Sequence, residues 1–378
     1  MKVLVISSWF PTARNPVQGV FVWEQVRIAS RRFDVAVIAP TLLTLRSLSS
    51  RERRSPPALG SIPIVRPRVI SPVPGRPAWV AGLYARAVRT AYSELASTWG
   101  KPDVIHAHVA LNAGYAAVRL GSELHVPVVL TEHATSGSTW LKAFPGSGML
   151  RSTLESIPYH VAVSPALAAR IRSVATVDPR VIGNVVDTEF FAPTFEPRVP
   201  GPTHFASVGG LIPRKGFDDL IRATAAGGSD WEVKIAGRGP ERSSLERLAL
   251  ELGIDKRVEL LGEVSLAGVR DLYRWADFAV LPSAEETFGV AAAEAMAMGR
   301  PVIGYANEGF KFVVDGFGFG LVPIGDVPAL TNVMERASRG LLDADSTVIR
   351  QSIVDRFGPS AFLDQLSELY TQAVTRIV

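Results

Sequence analysis

Cysteine is absent from the 378 residues, and with it go disulfides, thiolate metal sites and cysteine nucleophiles. That absence suits a reducing compartment. Long apolar runs are missing too: none approaches the roughly 18 residues that would cross a bilayer as a helix. The apolar run behind Met1 and Lys2 is shorter than a signal-peptide core and reads as a first strand, so the expectation is a cytoplasmic protein. No repeat with a period of about 20–50 residues and no low-complexity tract is present, which removes solenoids and repetitive tails. Histidines number six. His106 and His108 lack a third ligand at helical or turn spacing and make no zinc site. The dinucleotide fingerprint is missing as well. Residues 9–21 offer Pro11, Pro16 and Gly19, and Gly237-Arg-Gly-Pro240 has Arg242 where the last glycine belongs. A nicotinamide site fails on that ground.

With 47% hydrophobic and 20% charged residues, the chain has the composition of a globular protein. Its length suits two domains of about 150–200 residues each. Short β-branched runs at 3–7, 35–39, 104–108, 126–131 and 161–163, then at 205–208, 233–236, 258–261, 278–281 and 302–305, alternate with helical patterns. This alternation predicts an α/β fold of parallel sheets with crossover helices. Between the two sets, residues 191–203 hold Pro193, Pro197, Pro200 and Pro202, the composition of a stiff, exposed linker. The reading is two Rossmann-like, doubly wound domains, residues 1–195 and 204–360, facing across a cleft. In such sheets ligands bind outside the carboxyl ends of the strands.

The net charge of +4 hides an asymmetry. Nine arginines (46, 51, 53, 54, 66, 68, 76, 86 and 89) and the single acid Glu52 lie between Arg46 and Arg89, so this stretch carries +8 and the rest of the chain −4. It reads either as a solvated basic loop or as a surface for anionic lipid or an acidic acceptor. Trp79, Leu83 and Ala87 recur at helical spacing beside Arg86 and Arg89, which favours the second reading, although most such helices are packed on a core. No helix-turn-helix, zinc or single-strand-binding pattern accompanies the charge, so nucleic acid is not expected as a partner.

Residues 281–299 read as a strand end, a polar turn and an alanine-rich helix closed by Gly299. Phe288, Gly289 and Val290 would expose unpaired amides at the positive end of the helix dipole, a site for phosphate. Glu294 is the one charged residue in 290–298. It either accepts hydrogen bonds from ligand hydroxyls, such as those of ribose, or pairs with a base such as Arg300. Glu286, on the turn, either meets a second part of the same ligand or merely complements the dipole; Glu285 beside it reads as solvated. Upstream, Gly209-Gly-Leu-Ile-Pro-Arg-Lys-Gly216 joins a strand to a helical pattern. Its glycines admit close backbone approach, and Arg214 and Lys215 could neutralise a diphosphate leaving group as its bond breaks. The plain alternative is two solvated cations. His106, His108 and His133 fall at strand ends, where a structural histidine is the common alternative to a functional one. Asp343-Ala-Asp345 reads as a polar stretch after a helix rather than a metal-binding pair.

Taken in order with Asp103-Val-Ile-His-Ala-His108, Thr131-Glu-His133 and Ile182-Gly-Asn-Val-Val-Asp187, these motifs resemble the retaining glycosyltransferases of family four, glycogen-synthase or mannosyltransferase-like enzymes of the GT-B fold. The resemblance runs over nearly the whole chain. It implies an N-terminal acceptor-binding domain, a C-terminal nucleotide-sugar domain, and a last helix, about 361–378, that crosses back onto the first domain. On the donor side it implies Glu294 at the ribose, Glu286 at the transferred sugar, and Gly209, Gly210, Gly237 and Lys215 around the diphosphate. The amides of Phe288, Gly289 and Val290 would lie near sugar and diphosphate, Gly19 near the phosphate, the Val264 backbone at the base, and His133 beside the anomeric carbon. Many members carry arginine where this chain has Gly210; Arg214 is the candidate substitute. No metal and no cofactor is implied. The donor would be a UDP-sugar by preference or a GDP-sugar, and the acceptor a hydroxyl of a lipid-linked glycan of the cell envelope or of a natural product, with the basic stretch touching the inner membrane face. An epimerase of the same fold, or a nucleotide-sugar binder without catalysis, are the rival classes.

Overall fold

The computed structural model describes residues 1–12, 18–44, 62–71, 77–133, 148–193, 201–317, 320–342 and 345–375. Pro16, Arg46, Arg51, Glu52, Arg53, Arg54, Arg76, Pro197, Pro200 and Asp343 therefore lie outside the described residues. The chain forms two compact units, Met1–Val185 with Phe362–Val378, and Val186–Ala361.

Unit 1 is built on a parallel sheet of seven strands in the order β4-β2-β1-β6-β7-β8-β9. The strands are β1 (Lys2–Ser7), β2 (Asp34–Ile38), β4 (Ile64–Val65), β6 (Val104–His108), β7 (Val128–Glu132), β8 (Tyr159–Ala162) and β9 (Arg180–Val181). Beside it, β3 (Thr41–Thr44) and β5 (Arg68–Ser71) form a separate parallel pair. Strands buried on both faces read as continuous apolar runs, and Val3 to Ile6 are all buried. Unit 2 has a six-stranded parallel sheet in the order β12-β11-β10-β13-β14-β15: β10 (Thr203–Val208), β11 (Trp231–Ala236), β12 (Val258–Gly262), β13 (Phe278–Leu281), β14 (Val302–Tyr305) and β15 (Leu321–Val322). Within each unit the chain winds outward from the first strand in one direction, then jumps back across it and winds the other way. That is the doubly wound order, and it puts a topological switch point between β1 and β6 and another between β10 and β13.

All ten apolar runs of the sequence are strands, with ends moved by at most two residues. The strands that escaped notice are β3, β4, β5, β9 and β15, of two to four residues each, too short for a period to register. The units divide ahead of the proline-rich stretch because residues 186–191 are tied to unit 2. The Val186 N–H donates to the Phe357 carbonyl at 2.9 Å, and Arg350 donates to the carbonyls of Thr188 and Phe191 at 2.8 and 2.7 Å. The last helix, Pro359–Thr375, belongs to unit 1 from Phe362 onward. Phe362, Leu366, Leu369 and Ala373, spaced three and four apart, enter that unit's core.

The helix Pro77–Trp99 turns a face to the core that differs from the stripe marked by Trp79, Leu83 and Ala87. Ala81, Tyr84, Val88, Ala91 and Leu95 are buried, while Trp79 is 47% exposed. The reason is spacing: the buried set also recurs every three to four residues, and the Tyr84 hydroxyl finds the Ser7 carbonyl at 2.7 Å.

Candidate active site

In unit 2 the loop after β10 and the turn after β13 leave the sheet side by side at the switch point. They bring Lys215 and Glu286, 71 residues apart, into an ion pair. Their side chains are 15% and 14% exposed. Glycines let the loops close. Gly216 has φ 65°, and a Cβ there would stand 2.3 Å from the Pro282 carbonyl oxygen; at Gly237, φ 154°, it would stand 1.8 Å from that of Gly209. A side chain fits at neither. The Lys215 stem runs beside Gly209, whose added Cβ would lie 3.5 Å from Cδ and Cε.

Glu286 is backed by residues the sequence reading passed over. A Cβ on Gly309 would lie 2.7 Å from the Glu286 carbonyl oxygen. Asn307 donates to the Ser283 carbonyl at 2.8 Å and accepts the Phe310 N–H at 2.9 Å, capping the next helix. Thr287 was missed as well: its hydroxyl is buried with no hydrogen-bond partner among the described residues. An Asn before a Glu-Gly pair is a legible cap signal; the Thr287 hydroxyl has none.

The helix Val290–Ala297 starts after Gly289 (φ 98°) with no side-chain cap, which leaves its first amides for a ligand. Phe288 is buried edge-on against Phe312 and Phe357, with centroids 6.1 and 5.0 Å away, so its backbone is the part able to meet a ligand. Gly299 (φ 70°) ends the helix in the left-handed conformation. Glu294 lies near Tyr273, whose hydroxyl donates to the Ala291 carbonyl at 2.9 Å. Burial, and then the charge of Glu294, hold that phenol well above its ordinary pKa. Arg300, the alternative partner for Glu294, donates to the carbonyls of Tyr273 and Arg274 at 2.9 and 3.1 Å. Val264 follows the end of β12 directly after Glu263, which pairs with Arg238 at 3.0 Å. Arg214 donates to the Glu285 carbonyl at 3.2 Å. A Cβ on Gly210 would meet only the Arg238 carbonyl oxygen, at 3.8 Å, so a side chain has room there.

The switch point of unit 1 holds a column of imidazoles. His106 and His108 stack at 4.4 Å between centroids, and His108 and His133 at 5.3 Å. His106 is bonded at Nδ1 to the Tyr370 hydroxyl (2.6 Å) and at Nε2 to that of Thr131 (2.7 Å). His108 Nδ1 meets His133 Nε2 at 3.0 Å. Burial pushes His106 down to about 3; burial, helped by His106, does the same to His133. Burial, then His106 and His133, hold His108 well below the ordinary histidine value. The column is neutral at pH 7. Glu132 anchors it, accepting the N–H groups of Ala110 (2.9 Å) and His133 (2.8 Å). Phe21 lies 4.6 Å from His133, on the helix that follows Gly19. Gly19 has φ 70°, and its Cβ would strike the Trp9 carbonyl at 2.4 Å. Elsewhere Asp345 caps a helix by accepting the Thr347 and Val348 N–H groups at 2.8 and 3.2 Å. No group of three or more His, Cys, Asp or Glu side chains placed to hold a metal ion occurs among the described residues.

Comparison with known proteins puts a class on this arrangement. Residues 18–190 match the model of Glycosyltransferase Family 4, and residues 193–337 that of Glycosyl transferases group 1. The chain belongs to this family of glycosyltransferases. Among curated relatives, it is 27% identical over 322 residues to the Bacillus subtilis protein TuaC, named for teichuronic acid biosynthesis, covering 80% of each chain. It is 31% identical over 281 residues to a D-inositol 3-phosphate glycosyltransferase of a Mycobacterium species, covering 68% of this chain and 62% of that one. A Corynebacterium efficiens protein of that name is matched at 36% identity over 43% of its length and 45% of this chain. Two of these three alignments thus span less than two thirds of the relative. The fold is GT-B: sucrose-phosphate synthase from Thermosynechococcus elongatus superposes with a TM-score of 0.76 over the full length of both chains at 20% identity. Anabaena Alr3699/HepE in complex with UDP-glucose gives 0.71 at 19% identity, over 98% of this chain and all of that one.

Proposed function

We propose that this chain moves a sugar, with retention of configuration and without a metal ion, from a nucleotide-diphosphate sugar to an acceptor hydroxyl. The observation that carries the reading is the Lys215–Glu286 pair at the switch point of unit 2, beside the uncapped start of the helix bearing Glu294. A diphosphate gains negative charge as the glycosidic bond breaks. Lys215, the amides of 288–290 and the close backbone approach allowed at Gly209, Gly210 and Gly237 are the groups to stabilise it. Arg214 adds charge at the loop's far end. Glu286 takes the transferred sugar, Glu294 the ribose and the Val264 backbone the base, while Gly19 approaches the phosphate. His133 approaches the donor sugar, and the leaving phosphate helps to deprotonate the acceptor. UDP-sugars are favoured over GDP-sugars; the HepE neighbour was solved with UDP-glucose. Unit 1 takes the acceptor, a lipid-linked glycan of the cell envelope, and teichuronic acid in the name of the Bacillus relative supports an envelope product.

The membrane side of the reading is supported within unit 1. Arg66, Arg68, Arg86, Leu83 and Ile70 line a cavity of about 490 Å³ between β5 and the helix Pro77–Trp99. No helix among the described residues is long and apolar enough to cross a membrane; the contact we propose is a peripheral one.

A thermal-shift screen of UDP, GDP, ADP and their sugars tests the donor, because a specific ligand raises the melting temperature by mass action. A UDP-sugar should stabilise the protein in the presence of chelator and yield a product of the donor's anomeric configuration. No shift with any nucleotide sugar overturns the reading. A change of the sugar with no acceptor present marks an epimerase instead, and donor binding without transfer to any acceptor a sensor. Sedimentation with phosphatidylglycerol vesicles, lost on reversing Arg68 and Arg86 to glutamate, checks the membrane contact.

A further inference from the structure

At the switch point of unit 1 two imidazoles meet nitrogen to nitrogen, His108 Nδ1 lying 3.0 Å from His133 Nε2. Neutral rings at that distance share one proton, so one donates and the other accepts. Two arrangements are open. If His108 donates, His133 carries its own proton on Nδ1. If His133 donates through Nε2, its Nδ1 is a bare lone pair and His108 carries its own proton on Nε2, a nitrogen that is not among those buried without a partner. That Nδ1 is buried and has no hydrogen-bond partner among the described residues. A buried N–H without an acceptor is rarer in folded proteins than an unused lone pair, which selects the second arrangement.

We infer that His108 accepts the Nε2–H of His133, fixes His133 in that tautomer, and so presents His133 Nδ1 as the acceptor for a hydroxyl of the donor sugar. The inference rests on the reading of His133 as the group that approaches that sugar. His108 touches no substrate in this account and acts through His133, as a positioning residue.

The surroundings hold His108 in place. Its ring is sandwiched between those of His106 and His133, and His106 is bonded at both nitrogens. The next residue, Val109, has φ 74°, an outlier for a β-branched side chain. Such a conformation persists where its neighbours over-determine it, and it clusters at functional sites. Here the Val109 N–H is tied to the Thr131 carbonyl at 2.9 Å, and the Val109 carbonyl to the Gly114 N–H at 3.1 Å. The strained turn thereby ties the carboxyl end of β6, which bears His108, to β7, which His133 directly follows. His133 is held on another side by Phe21.

Nitrogen-15 correlation spectra of the full chain at pH 7.5 test this, with the His133 signals assigned through His133→Gln. The expected result is one His133 species, protonated at Nε2 and bare at Nδ1. His108→Phe keeps a stacked ring but removes the acceptor, and should give a mixed or inverted His133 tautomer and about a tenfold loss in kcat with little change in KM. His108→Asn can place a carbonyl oxygen where Nδ1 was, and should restore both the single tautomer and turnover to within about threefold of the original. A His133 protonated at Nδ1 in the unaltered protein overturns the inference. So does a spectrum or a kcat that His108→Phe leaves unchanged, or a His108→Asn variant as impaired as His108→Phe. If the unaltered protein turns over no nucleotide sugar, the donor reading falls by itself, and the spectra still decide the tautomer.

Discussion

The two switch points share one topology and carry opposite chemistry. In unit 2, glycine-lined loops press together and hold a lysine and a glutamate as a charged pair of low exposure. In unit 1, the same crossing of strands holds three stacked imidazoles, all neutral, behind a strained valine. Topology therefore fixes where a ligand can be met, and the residues at the strand ends fix what can be done to it. A charged leaving group needs the first kind of site; orienting the hydroxyls of a neutral sugar needs the second.

The comparison breaks first at Lys215. Lys215→Ala is expected to lower turnover about 10²–10³-fold, the scale for removing one charge-stabilising group. Arg214→Ala, whose guanidinium is engaged by the Glu285 carbonyl, should cost about tenfold. Steady-state kinetics with a donor identified by thermal shift measures both; near-normal turnover of Lys215→Ala would sink the assignment of unit 2 as the charged site. Equal losses would put both cations on the diphosphate.

Acid should separate the units next. His106, His133 and His160 of unit 1 have folded values of about 3, 3 and 4 because burial disfavours the charged rings. Unfolded, they titrate near 6.5. Between those values the unfolded state binds more protons, so stability is complete above about pH 6.5 and falls as pH drops toward 4. Each ring should cost about 2 kcal/mol at pH 5. Calorimetry at pH 7.5 and 5 should show the unit 1 transition moving down while unit 2 holds; equal movement of both would contradict a neutral column.

The smallest expected effect is a gain. Gly210 has room for a side chain and no positive φ, so Gly210→Arg should add a second cation to the loop and lower KM for the donor about threefold, within the 0.3–1 kcal/mol typical of exposed charge placement. An unchanged KM would mean that this loop position does not face the diphosphate.

Much of this was legible in the residues. The apolar runs gave both sheets because buried parallel strands must be continuously apolar, and two charged groups of unit 2 stood out against their surroundings, Glu294 in an alanine-rich helix and Lys215 beside glycines. The pairing of Lys215 with Glu286 was not legible, because it depends on β10 and β13 being neighbours across a crossover. The same holds for His108 and His133, 25 residues apart, and for Gly309 behind Glu286. On the helix Pro77–Trp99 two stripes satisfied the same period, and periodicity alone could not choose between them.

The sequence by itself determined the class of fold, the family and the roster of chemical groups, since strand composition, helix period and glycine placement are local and each residue carries its own chemistry. Tertiary structure alone decided which of those groups meet and in what state. Strand order sets the partners of a side chain, and burial sets its charge: that is how Lys215 came to face Glu286 and how three histidines became a neutral column.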